Sequence, residues 1–254
     1  MRKAFFILLR SVLTVYALLL LVLYFAQRSL IYFPSHNAPS GALKPWTVDG
    51  KILGCCREVS NPKSVWLVAH GNAGQATDRD YLLSCFEPDA SVYVVEYPGY
   101  GDRPGRPSAG ALNESVAEAY NVLLKKYAAL GIGVVGESIG SGASCLLARQ
   151  ATPPGKIVLV VPFDTFTSVA AEHFPILPVR LILSEQWDNV EALKQYQGPV
   201  EIYAASSDDV IPPHHARRLA EAVGAKFTLL QGGHNDWASG EVTIRMPESP
   251  SPRR

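Results

Sequence analysis

Six apolar runs, each closed by glycine, proline or a polar turn, constrain this chain more than any other feature. They are "SVWLVA" (64–69), "SVYVVEY" (91–97), "GIGVVG" (131–136), "KIVLVV" (156–161), "VEIYAA" (200–205) and "KFTLLQ" (226–231). The runs are continuously apolar rather than alternating, as expected for strands buried on both faces of a parallel sheet. Helical text lies between several of them. Val116, Tyr120, Leu123, Tyr127 and Leu130 recur at steps of four and three, one face of an amphipathic helix, and Gly131 is placed to stop it. "SGASCLLARQA" (141–151) reads as helix up to Pro153-Pro154, and "PHHARRLAEAV" (213–223) as helix between the last two strands. Residues 47–59 read as an antiparallel edge. The predicted class is therefore α/β, a mostly parallel sheet flanked by helices, and 254 residues suit one such domain.

The N-terminus is different in kind. Ser11 to Ala26 carries no charge, and with Ala4 to Leu9 it approaches the roughly 20 residues that cross a bilayer. A cleaved signal would want a small residue where Tyr24-Phe25-Ala26 has tyrosine. The expectation is an uncleaved anchor over 1–27. Arg2, Lys3 and Arg10 ahead of the uncharged stretch place the N-terminus in the cytoplasm and the remainder across the membrane, in the periplasm if the source is bacterial. A linker (28–44), a domain (45–240) and a proline-rich, disordered tail (241–254) complete the expected organisation. With 23 basic and 23 acidic residues the net charge is zero, which argues against a nucleic-acid partner. The four cysteines show no CxxC spacing, so no zinc or redox site is expected. Cys145 reads as a core residue, and a bridge from Cys55 or Cys56 to Cys85 is left open.

In parallel sheets, sites gather at the C-terminal ends of strands. "VVGESIGSGAS" (134–144) puts Gly136-x-Ser138-x-Gly140 between a strand and a helix. A G-x-S-x-G string alone is weak, but this context is what a strained nucleophile turn requires. A serine also needs a base. Among the six histidines, His36 lies in the linker, His173 in an insertion, and His214 and His215 at a helix start where solvent is expected. His234 follows the last strand through Gly232-Gly233 and is the preferred base. Asp208 follows the strand 200–205 and would orient it, with Asp209 and Asp164 as alternatives. The oxyanion donors would be the backbone N–H groups of Ile139, just past the serine, and of Asn72 in "HGNAG" (70–74), with His70 structural.

With these residues the chain resembles α/β-hydrolases of the serine-aminopeptidase-like group, and is most similar to membrane-tethered α/β-hydrolase-domain proteins that include depalmitoylases. The resemblance rests on "RSLIYFP" (28–34), "HGNAG", "YPGYG" (97–101) with "GRPS" (105–108), "GESIG" (136–140), "FTS" (166–168), "PVRLIL" (178–183), "SDDVIPP" (207–213) and "GGHND" (232–236). It implies an α/β-hydrolase fold with a small cap over about 162–189, a Ser138–His234–Asp208 triad and Asp236 as support for the histidine loop. Two features depart from the depalmitoylases. The N-terminal cysteine cluster is missing, and the anchor would carry the domain away from cytoplasmic acyl proteins.

The expected function is membrane-anchored cleavage of small acyl esters or thioesters, lipids among them, through an acyl-enzyme, with no cofactor and no metal. The alternatives are a serine peptidase on the same triad or a non-catalytic binding protein. A peptidase would want a carboxylate cluster in the cap, where only Glu172 and Glu185 stand. Phe166, Phe174, Ile176, Leu177 and Leu181 are candidates for an acyl pocket, against the plainer expectation that most of them bury the cap on the domain. Glu137, inside the serine motif, has no assigned role.

Overall fold

Every apolar run forms a strand, and the strands build one eight-stranded sheet. The computed structural model describes residues 1–38, 41–238 and 242–247. In chain order the elements are α1 (Arg2–Ile31), β1 (Phe33–Pro34), β2 (Lys44–Val48), β3 (Lys51–Arg57), β4 (Ser64–Ala69) and β5 (Ala73–Gly74). A 3₁₀ segment (Ala76–Cys85) leads to β6 (Ala90–Val95), α2 (Ala109–Lys126), β7 (Ile132–Glu137) and α3 (Gly140–Leu146). Then follow β8 (Lys156–Val160), α4 (Phe166–His173), α5 (Val179–Ile182), α6 (Asn189–Leu193), β9 (Val200–Ala205), α7 (Pro213–Val223) and β10 (Lys226–Leu230). The sheet order is β10-β9-β8-β7-β4-β6-β3-β2. Its pairs are parallel except β3 with β6 and β2 with β3, the antiparallel edge expected near residues 47–59.

The strands are apolar throughout because each face has its own core. Leu67, Tyr93 and Val134 point toward α2, where Leu112, Val116, Tyr120 and Leu123 supply the apolar stripe. Trp66, Val68, Val94 and Val135 point the other way, onto Leu82, Phe86 and Trp237. Further along the sheet, Ile157, Leu159 and Ile202 pack under Leu219 and Ala216 of α7. Truncating a fully buried position such as Leu67 to alanine costs about 2–5 kcal/mol.

Three boundaries differ from the sequence expectation. Ser108 caps α2, its Oγ accepting from Ala111 N–H at 3.1 Å. The helix then ends at Lys126, ahead of Gly131, because Tyr127 leaves the helical region and its hydroxyl meets that of Tyr93 at 2.6 Å. The expected linker is largely built into the fold: α1 continues to Ile31, Tyr32 and Leu43 are buried, and β1 pairs in parallel with β5. The expected disordered tail docks over residues 242–247. Val242 and Ile244 are buried at alternate positions, and Ile244 N–H donates to the Cys85 carbonyl at 2.8 Å. Residues 241 and 248–254 of that expected tail lie outside the described residues. All four cysteines are buried free thiols, which answers the open disulfide question.

Candidate active site

Ser138 follows β7 with φ of 52°, a left-handed conformation that non-glycine residues seldom adopt. Its N–H donates to the Val160 carbonyl at 2.9 Å, and Ser141 Oγ donates back to the Ser138 carbonyl at 2.6 Å. The flanking glycines permit this turn. A Cβ on Gly136 would stand 2.7 Å from Ser141 Cα, and one on Gly140 would run into the Ala69 and His70 carbonyls. Strand and helix pass too closely for any side chain there.

His234 Nε2 lies 3.0 Å from Ser138 Oγ, and its Nδ1 lies 2.7 Å from Asp208 Oδ2. Asp208 is buried, and its other oxygen accepts the N–H groups of Val210 (2.9 Å) and Ile211 (2.8 Å). One oxygen is thus anchored to backbone while the other faces the imidazole. With Nδ1–H donating to Asp208, Nε2 is left to accept a hydrogen bond from the Ser138 hydroxyl. Asp209 is exposed beside this pair. Asp236 Oδ2 accepts Gly233 N–H at 2.8 Å and holds the loop that carries His234.

Asn72 and Ile139 line one cavity with Ser138, so the structure brings all five expected site residues together. The loop of Asn72 is pinned from several directions. Tyr97 and Tyr100 hydroxyls donate to the carbonyls of His70 (2.8 Å) and Asn72 (2.6 Å), and Asn72 Nδ2 donates to the Ile31 carbonyl at 2.7 Å. His70 is buried and packs its ring, tilted by 37°, against Tyr97 at 4.3 Å between centroids, a packing role.

Glu137 acquires a role that the sequence left blank. Its Oε2 accepts Gly71 N–H at 3.2 Å, and its Oε1 accepts the Tyr81 hydroxyl (3.1 Å) and Trp237 Nε1–H (3.2 Å). One buried carboxylate next to the serine therefore ties the Asn72 loop to the loop of His234. Burial, reinforced by the Glu137 charge, pushes the Tyr81 hydroxyl well above its ordinary range. The available signal was a glutamate closing an apolar strand, since a buried charge needs partners.

The cavity holds about 310 Å³. Its apolar walls come from Leu30 and Ile31 of α1, Phe166 and Val169 of α4, Phe174, and Ile211. Of the candidate acyl-pocket residues, Phe166 and Phe174 line it. Ile176, Leu177 and Leu181 do not, and the expectation that such residues bury the cap fails for two of them: Ile176 is 81% and Leu181 84% exposed. His173 sits at the rim, 2.9 Å from the Val210 carbonyl.

A second cluster corrects the expectation that His214 and His215 face solvent. His215 shares the inward face of α7 with Leu219, and it is fully buried. Its Nδ1 lies 2.7 Å from Asp164 Oδ1 and its Nε2 3.1 Å from Glu172 Oε2, while His214 Nε2 reaches the same oxygen at 2.9 Å. Arg218 Nε donates to Asp164 Oδ2 at 2.8 Å. Burial works against the Asp164 carboxylate, but hydrogen bonds from His215, Ser168 and the Thr165 N–H hold it far below the usual range. Asp164, the remote alternative for the triad acid, is thus committed elsewhere. Glu172, His214 and His215 bring ligand atoms within 4.8 Å of one another, a set that could hold a divalent transition metal, although here they bond to each other.

The chain belongs to the α/β-hydrolase superfamily. It is 33% identical over 228 residues to an uncharacterized protein of Mycobacterium tuberculosis, covering 83% of this chain and 81% of that one. It is 26% identical over 206 residues to the lysophosphatidylserine lipase ABHD12 of Xenopus tropicalis, covering 72% of this chain. The match takes in 53% of that lipase, about half its length. Among solved structures it is similar to the esterase Pf2001 of Pyrococcus furiosus, with a TM-score of 0.60 and 14% identity over 82% of this chain and 95% of the esterase, a likeness of fold. No family model matches the chain.

Proposed function

We propose that this protein is a membrane-anchored serine hydrolase that cleaves carboxylic ester or thioester bonds. The observation that carries this reading is the relay at the cavity floor: Ser138 Oγ to His234 Nε2 at 3.0 Å, and His234 Nδ1 to Asp208 at 2.7 Å. Ser138 Oγ attacks the acyl carbon while its proton passes to His234 Nε2. The N–H groups of Asn72 and Ile139 receive the oxyanion. The tetrahedral intermediate collapses, the alcohol or thiol leaves with the proton from His234, and an ester on Ser138 remains. Water, deprotonated by His234, then releases the acid.

The apolar walls favour an acyl chain over a charged substrate. The similarity to a lysophosphatidylserine lipase supports lipid esters among the substrates. A peptidase finds less support. Glu185 is engaged by Arg28 at 2.8 Å and Tyr32 at 2.5 Å, Glu172 by two histidines, and neither lines the cavity. The helix α1 is long and apolar enough to cross a membrane. The basic residues at its start orient the N-terminus to the cytoplasm and the catalytic domain to the opposite face. Turnover of p-nitrophenyl esters of increasing chain length by the full chain tests the reading. It predicts hydrolysis that Ser138→Ala removes, and it fails if no ester is hydrolysed or if the variant is equally active.

A further inference from the structure

The cap runs back along the anchor helix. Tyr16 donates its hydroxyl to the Ile176 carbonyl at 2.7 Å, and Gln27 meets both the Ile182 carbonyl (3.2 Å) and the Ser184 N–H (2.8 Å). From Tyr16 to Gln27 is about 16 Å of helix at 1.5 Å per residue. Tyr16 lies in the uncharged stretch Ser11 to Ala26, so the cap tip stands beside residues that a bilayer would enclose.

The tip has the chemistry of that environment. Residues 174–183, "FPILPVRLIL", carry a single charge, on Arg180, whose long stem lets the guanidinium reach the headgroups. Phe174, Ile176 and Leu181 are exposed. A backbone in hydrocarbon must satisfy its polar groups internally. Pro175 and Pro178 bring no N–H, and the N–H groups of Leu177, Leu181, Ile182 and Leu183 donate to the carbonyls of Phe174, Pro178 and Val179. The Ile176 carbonyl is satisfied by α1 itself through Tyr16.

The geometry points to a lipid surface as the partner of this face: cap residues 174–183 lie in the same leaflet as the C-terminal half of α1, and the cavity above Ser138 opens to that leaflet. Leu30, Ile31 and Phe174 line the cavity together with Ser138, which sets the serine at the end of the span, near the depth of lipid ester groups. The acyl chain then enters sideways, between α1 and the cap. The entry route rests on the hydrolase reading, whereas the immersed surface does not.

The test uses the full chain in phosphatidylcholine vesicles whose acyl chains carry bromine, which quenches nearby tryptophan. Tryptophan placed by Ile176→Trp or Leu181→Trp, measured against the unmodified chain, should be quenched within about twofold of Val12→Trp in α1. It should be quenched at least fivefold more than Glu221→Trp on the exposed side of α7. Quenching no stronger than that of Glu221→Trp overturns the proposal, and crosslinking of position 176 to a second copy would name the occupant instead. The double variant Ile176→Asp with Leu181→Asp should lose about tenfold in rate on a long-chain ester embedded in vesicles, and keep its rate on p-nitrophenyl acetate in detergent. Equal rates on the embedded ester overturn sideways entry. If quenching persists while no ester is hydrolysed by any form, the hydrolase reading and the entry route fall and the membrane contact stands.

Discussion

Ser138, His234 and Asp208 gather past the end of β7, and Ser168, His215 and Asp164 past the end of neighbouring β8. The two groups have the same residue types and similar His–Asp distances, 2.7 Å in each. Each strand is also followed directly by a strained non-glycine residue, Ser138 at φ 52° and Val161 at φ 44°. They differ in what each histidine has left to offer. His234 turns Nε2 to a serine on the cavity floor. His215 has its Nε2 against Glu172, and Ser168 donates to Asp164 at 2.5 Å while standing 3.5 Å from His215 Nδ1, the nitrogen that already faces Asp164 at 2.7 Å. The strain at β7 falls on the proposed nucleophile, Ser138. The strain at β8 falls on a buried valine that turns the chain toward Asp164. Residue type and pairing do not make a relay; a free acceptor nitrogen and an open cavity do.

The comparison breaks most visibly at the serines. Ser138→Ala should lower kcat by about a millionfold, in line with loss of a triad serine, while Ser168→Ala should stay within about threefold. Initial rates on p-nitrophenyl butyrate measure both. Equal losses would erase the distinction. The histidines should separate in the opposite sense. His234→Ala should remove activity; it also takes the donor from Asp208 Oδ2, but at a side chain that water can reach (12% exposed), so Tm should fall by less than for His215→Ala. His215→Ala empties a fully buried position and takes one donor from the Asp164 carboxylate, about 2–3 kcal/mol, and should lower Tm by roughly 5–10 °C. Thermal unfolding by circular dichroism reads the difference.

Glu137 sharpens the account of the reactive group. Glu137→Gln turns one acceptor oxygen into a donor facing other donors, about 1.4 kcal/mol or a tenfold loss in kcat/KM if the two loops shift. An unchanged kcat/KM would make Glu137 a bystander. The smallest effect is in acid. Burial opposes the charge of both Asp164 and Glu172, yet their partners hold both carboxyls below their ordinary values of 3.8 and 4.5. Their contribution to stability is therefore complete above those values and is lost as pH falls through the lower, folded ones. Between about pH 4 and pH 2 the intact protein should lose stability more steeply than Asp164→Asn, a difference visible in urea midpoints across that range.

Much of this was legible in the sequence because it depends on local text. Continuous apolar runs give strands buried on both faces, and Ser138, Asp208 and His234 each follow such a run. What was not legible depends on chain segments far apart. His215 looked exposed because its burial comes from Asp164 and Glu172, more than 40 residues away. Glu137 finds its partners at Gly71, Tyr81 and Trp237, from three separate segments. Ile176 and Leu181 looked like core residues because apolar text does not say whether hydrocarbon or protein will cover it. The docking of Val242 and Ile244 left a trace, an alternation of period two inside an otherwise polar tail.

The central claim is that Ser138 is an activated nucleophile, and a fluorophosphonate probe tests it most directly. The intact full chain should become covalently labelled, with the adduct on Ser138 in the digested protein, and Ser138→Ala should remain unlabelled while Ser168→Ala labels normally. An intact chain that fails to label, or a Ser138→Ala variant that labels equally, would contradict the account.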